Sequence, residues 1–130
     1  FRNAGESPRY LAIYTIDSPA VFQTQTYIDA GGNGANSVRF RPAYQMWKRN
    51  LFDDGMPATN VDTGKYLLVE DVADANVPLR PGARRLPCNG MHQTTAFRDL
   101  TVLSEPVGAL PENAVCYRPL TPMLGQLYKD

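Results

Sequence analysis

Arg9-Tyr10-Leu11-Ala12-Ile13-Tyr14-Thr15-Ile16-Asp17, running straight into Ser18-Pro19, is the stretch whose reading decides the fold. β-branched and aromatic residues dominate it, which is the composition of a strand. At a period of two, Leu11, Ile13 and Thr15 share one face while Tyr10, Ala12, Tyr14 and Ile16 share the other. Both faces are largely apolar, so both call for cover: a returning helix over the aliphatic side, a second sheet or a ligand cavity over the tyrosine side. Ser18 can accept from free first-turn amides, and Pro19 suits the first helical position because the N–H it lacks would be unpaired there. The spacing predicts a helix from about Pro19 to Ala30, ended by Gly31-Gly32-Asn33-Gly34. Those glycines follow a helix rather than a strand and lack nucleotide-binding spacing, so they read as a terminator and not as a phosphate cradle.

Before this stretch, residues 1–8 are polar and aperiodic and read as an N-terminal arm. Beyond it, Val38 to Phe52 is the densest aromatic and basic segment. There Tyr44 to Phe52 fits a strand or a helix that would group Tyr44, Trp47, Lys48 and Leu51, and strand is favoured because Asp53-Asp54-Gly55 gives a turn into a partner strand over Lys65 to Val72. In the partner, Tyr66, Leu68 and Glu70 face one way, Leu67 and Val69 the other. Residues 73–93 carry Pro78, Pro81 and Pro87 with Gly82 and Gly90, and read as a long ordered loop. Thr95 to Ser104 is a strand with Phe97, Asp99, Thr101 and Leu103 on one face, and Ala114 to Arg118 is a short last strand before a tail at 119–130.

The 130 residues fit one domain with one core, and thirteen acidic residues balance thirteen basic ones. Neutralising a phosphate backbone takes a basic excess, so nucleic acid is not expected as a partner, although Arg80, Arg84 and Arg85 are close enough in sequence to form a local basic patch. No apolar run approaches the roughly 20 residues that span a bilayer. The expectation is a soluble, cytoplasmic chain that makes no membrane contact, with Cys88 and Cys116 as thiols; an opening on Phe1 leaves room for a leader already removed.

The run from Arg9 through Phe22 resembles the opening strand and helix of ferredoxin-like proteins of the dimeric α+β barrel superfamily, in particular its EthD-like branch. Lys48-Arg49-Asn50-Leu51-Phe52 and the strand over Lys65 to Val72 are similar to that family's central hairpin, so the likeness covers roughly the first half of the chain. It implies an α+β fold: a ferredoxin-like antiparallel sheet with helices on one face, paired across a homodimer so that each half encloses an apolar cavity. A sheet left with one bare apolar face also favours a dimer on physical grounds. In the family a second helix lies where this chain has its proline-rich stretch. The resemblance implies that Tyr14 faces the cavity.

His92 is the single histidine and the side chain best suited to moving protons near neutral pH. Tyr14 could stabilise an oxyanion, and Glu70 could act as a base if an apolar face holds it. Tyr27, Arg41, Tyr44 and Trp47, with Phe97, could form an aromatic wall with a cation for a ring-bearing ligand. For each, a structural role as core, interface or solvated charge is the competing reading. One histidine and two distant cysteines do not make a zinc set, and no hydrolase, kinase or nucleotide fingerprint occurs, so neither metal nor cofactor is expected. The reading that follows is a cofactor-independent lyase, isomerase or cyclase using acid–base chemistry on a hydrophobic, aromatic or polyketide-like small molecule. The alternatives are a cofactor-free monooxygenase of the same superfamily and a non-catalytic ligand-binding or structural dimer.

Overall fold

The computed structural model describes residues 1–3, 8–16, 18–30, 39, 42 and 48–123. The chain divides into two compact units, one of Phe1–Ala12 with Lys48–Asp130 and one of Ile13–Trp47. The first contains five antiparallel strands: β1 (Asn50–Phe52), β2 (Tyr66–Val72), β3 (Arg84–Met91), β4 (Phe97–Leu103) and β5 (Ala114–Tyr117). They form one sheet in the order β1-β3-β4-β2-β5. The second contains a 3-10 turn at Pro19–Gln23 and a short helix, α1 (Gln25–Asp29). An antiparallel sheet with few helices is an α+β-like arrangement.

β2 is the organising strand. It pairs with β4 along its whole length, from Tyr66↔Leu103 to Val72↔Phe97, and with β5 from Leu67↔Tyr117 to Glu70↔Ala114. Strand alternation sends Leu67 and Val69 to one face and Leu68 and Val72 to the other, and all four are buried. The faces expected for Thr95 to Ser104 also hold, with Asp99, Thr101 and Phe97 beside Glu70, Leu68 and Val72. Leu100 and Tyr117 complete the other side, where burial pushes the Tyr117 phenol up and its O–H donates to the Pro8 carbonyl at 3.0 Å.

Several expectations are corrected. Arg9 to Asp17 is not the opening strand: of its described residues only Tyr10 enters a ladder, through a bridge to Arg2, and Tyr14 is 82% exposed. The arm instead takes that place. Phe1–Asn3 pairs with Tyr10 on one side and with Arg118 on the other, adding a ribbon to the β5 edge. The expected single helix is interrupted at Thr24, whose extended backbone caps the 3-10 turn and whose hydroxyl accepts the Tyr27 N–H at 3.3 Å.

The expected loop at 73–93 contains β3, Pro87 included. Cys88 donates its N–H to Ala96 on the β4 side, so position 87 would direct its N–H the other way, where the β1 ladder is irregular between Leu51 and Phe52. A missing donor costs nothing there. β3 pairs with β4 before that point and with β1 after it. The expected hairpin of β1 with β2 therefore does not form, although the Asp53-Asp54-Gly55 turn does, with Gly55 at φ 77° and its N–H on Asp53 Oδ1. Of the Tyr44 to Phe52 strand, Asn50–Phe52 is observed and 44–47 lie outside the described residues.

Leu68→Ala should destabilise the chain by about 3 kcal/mol in urea unfolding, as a fully buried leucine with no room to collapse. Val102→Ala, at a position of β4 left 40% exposed, should cost under about 1 kcal/mol. Equal losses would contradict the assigned faces.

Candidate functional site

The turn between β3 and β4, where β1 lies alongside, collects the chain's most chemically capable groups. Asn50 holds it together. Its Oδ1 accepts the Thr94 N–H at 2.9 Å and the Cys88 thiol at 3.7 Å, and its Nδ2 donates to Thr94 Oγ1 at 2.8 Å. Gly90 is required beside it, because a Cβ there would lie 2.9 Å from Leu51 Cδ2.

His92 sits in this turn between two non-glycine residues in the left-handed region, Met91 at φ 61° and Gln93 at φ 47°. Such backbone persists where surrounding bonds over-determine it. Here the His92 N–H donates to the Arg49 carbonyl at 2.9 Å and the Arg49 N–H donates to His92 Nδ1 at 3.0 Å. With Nδ1 accepting, the neutral imidazole carries its proton on Nε2.

Next to it is a depression of about 560 Å³, open to solvent and lined by Asp71, Ala73, Cys88, Gln93, Thr94 and Thr95 among others. Its walls offer a carboxylate, a thiol, an amide and two hydroxyls between alanine methyls. Asp71 is bound bidentately by Arg98 at 2.7 and 3.0 Å, and the Arg98 guanidinium lies 5.0 Å from the centre of the Phe52 ring.

The expected site residues are not gathered here. Glu70 is on the opposite face of β2 from Asp71, side by side with Asp99. Like charges in that position repel, and each is answered by its own arginine: Arg80 at 2.5 Å from Glu70, and Arg85 bidentate on Asp99 at 2.8 Å. Asp99 in turn holds Arg85 still more firmly protonated. Glu70 is thus committed to an ion pair in the sheet. Phe97 lies half-buried on that same face, opposite Val72 and Pro87. Tyr14 is exposed and is not among the residues lining the depression. Tyr27 packs edge-on against Phe22 at 5.2 Å within its own unit. Arg41, Tyr44 and Trp47 lie outside the described residues.

The arginines expected to make a basic patch are neutralised. Arg84 clamps Asp54 at 2.5 and 2.6 Å and reaches the Pro57 carbonyl at 2.7 Å, while Arg80 and Arg85 hold Glu70 and Asp99. Among the described residues no cluster of histidine, cysteine and carboxylate groups could hold a metal, and no helix is long and apolar enough to cross a membrane. Asn50, the centre of the corner, is the residue that sequence reasoning missed. Its partners are 38 and 44 positions away, beyond the reach of any local pattern.

Asn50→Ala should lower stability by about 1 kcal/mol, because two hydrogen bonds to the exposed Thr94 and one to the half-buried Cys88 are lost at once, and should speed hydrogen exchange at the Thr94 amide first. The Asp54 carboxyl is held below its usual 3.8 by the hydrogen bonds from Arg84. A depressed folded-state value stabilises above 3.8 and is lost as pH falls through the folded value. The stability gap between the wild type and Asp54→Asn should therefore be level at neutral pH and close only below that point; a gap that closes between pH 5 and 7 would contradict it.

Set against protein-family models, curated protein sequences and solved structures, the chain matches none of them, and the reading of the corner rests on its own residues.

Proposed function

We propose that the chain binds a small molecule at the β3–β4 corner and acts on it by cofactor-independent acid–base chemistry, with His92 as the proton-transferring group. One observation carries this reading: a histidine of fixed tautomer, held between two left-handed residues, immediately precedes Gln93 and Thr94, which line a depression of hydrogen-bonding groups. The Gln93, Thr94 and Thr95 side chains would orient polar groups of the ligand. A lyase or isomerase fits this lining better than a cofactor-free monooxygenase, which calls for an enclosed apolar hollow. The lining also favours a ligand with polar substituents over a purely hydrophobic ring.

The ferredoxin-like arrangement and the homodimer were expected from the family resemblance, and the exposure of Tyr14 supports neither. All groups of the corner come from one chain, so a monomer would suffice. A cytoplasmic setting is part of the same reading and accords with Cys88 and Cys116 as free thiols. The second reading is a binding module without catalysis, favoured by the openness of the depression and by the pairing of Asp71, the carboxylate of its lining, with Arg98.

The test is an amide NMR titration with a fragment set of small hydroxy acids, keto acids and phenols. Binding should move the Ala73, Cys88 and Gln93–Ala96 amides together, and any fragment that exchanges a carbon-bound proton in D2O should stop doing so in His92→Gln. Shifts confined to other parts of the sheet would overturn the site. Undiminished exchange in His92→Gln would leave the binding-module reading in its place.

A further inference from the structure

Six of the described arginines of the sheet unit form two sets, with Arg9 and Arg49 outside both. Arg80, Arg84, Arg85 and Arg98 each hold a carboxylate. Arg2 and Arg118 hold none among the described residues, and both are exposed. They are also directly opposite each other. Arg2 N–H donates to the Arg118 carbonyl and Arg118 N–H to the Arg2 carbonyl, both at 2.9 Å. This is the closely bonded antiparallel pair, whose side chains rise from the same face about 5.5 Å apart. Two like charges so placed repel each other, and an anion set between them would turn that repulsion into attraction.

Their neighbours are aromatic. Continuing the β2–β5 register one step past Leu67↔Tyr117 sets Arg118 across from Tyr66. On the other side, Arg2 bridges Tyr10 in the wide, non-hydrogen-bonded type of pair, which brings side chains closest. One face of the sheet thus carries the row Tyr66, Arg118, Arg2, Tyr10, with two guanidinium forks at its centre and a tyrosine 61% exposed at its outer end. Alternation turns Arg9 to the opposite face.

We propose that Arg2 and Arg118 form a binding site for a phosphate monoester carried on a flat ring, a mononucleotide-like small molecule, with the phosphate between the two guanidiniums and the ring on Tyr10. Phosphate is favoured over carboxylate because its three terminal oxygens can serve two planar forks at once, whereas a carboxylate fills one. The ring assignment follows from Tyr10 standing one strand spacing beyond Arg2, within the span of a phosphate and its attached ring. A longer nucleic acid is not favoured, since Arg80, Arg84, Arg85 and Arg98 are each paired with a carboxylate and the chain carries no net charge.

Calorimetric titration with AMP, ribose 5-phosphate, adenosine and a short oligonucleotide tests this. AMP should bind saturably and more weakly as salt is raised. R2Q and R118Q should each weaken it about tenfold or more, the loss expected for one charged fork. Tyr10→Ala should weaken AMP severalfold while leaving ribose 5-phosphate unchanged. Because these side chains are exposed, the variants should keep the wild-type circular dichroism spectrum and unfolding midpoint within error, which separates a lost site from a lost fold. No saturable AMP binding, wild-type affinity in both arginine variants, adenosine binding as tightly as AMP, or an oligonucleotide binding tighter than AMP would each overturn the assignment.

Discussion

Leu67 and Leu68 follow one another in β2, point to opposite faces of the sheet, and have no exposed surface between them. That double burial is the constraint on which the rest of the structure depends. A strand dry on both sides must be interior, and β2 is flanked by β4 over seven paired residues and by β5 over four. Burying two adjacent leucines contributes roughly 2 kcal/mol or more apiece. Moving the register by one residue would exchange every side chain between faces and set Glu70 in the place of Val69 or Asp71 in that of Val72. The remaining elements are placed by their relation to this strand: β3 is reached through β4, and β1 through β3.

Charges are distributed to suit that interior. Glu70 and Asp99 meet across β2 and β4 on one face, Asp71 and Arg98 on the other. Bare carboxylates there would be costly to desolvate, so each has a guanidinium, three of the four pairs on the sheet unit being bidentate. Such pairs add little net stability, but removing Arg85 would leave Asp99 buried and unpaired, which makes that pair specific to this register. The same arrangement consumes the arginines that a basic surface would have needed. Arg2 and Arg118, which hold no carboxylate among the described residues, lie where the N-terminal ribbon meets the end of β5.

The β3–β4 corner follows from the same geometry. β3 exchanges partners at Pro87, β1 comes alongside at Gly90, and Asn50 bonds across the gap to Cys88 and Thr94. The resulting turn holds His92 in a conformation that a free hairpin loop would not maintain. Polar groups are concentrated there because three segments end together, leaving side chains rather than a ladder to satisfy the backbone.

What the sequence by itself determined is local. The alternation set Leu68 and Glu70 opposite Leu67 and Val69 in β2 and Asp99 and Thr101 opposite Leu100 in β4, the Asp53-Asp54-Gly55 turn was readable from its residue types, and Ser18 before Pro19 marked a helical start. What only the tertiary structure decided is pairing. Arg9 to Ile16 has the composition of a strand yet forms a single bridge, while Arg84–Met91, with a proline inside it, is a strand between two others. β-propensity describes how well a segment suits a ladder, but the ladder itself is supplied by chain many residues away, as are the partners that neutralise Arg85, engage Asn50 and leave Arg2 facing Arg118.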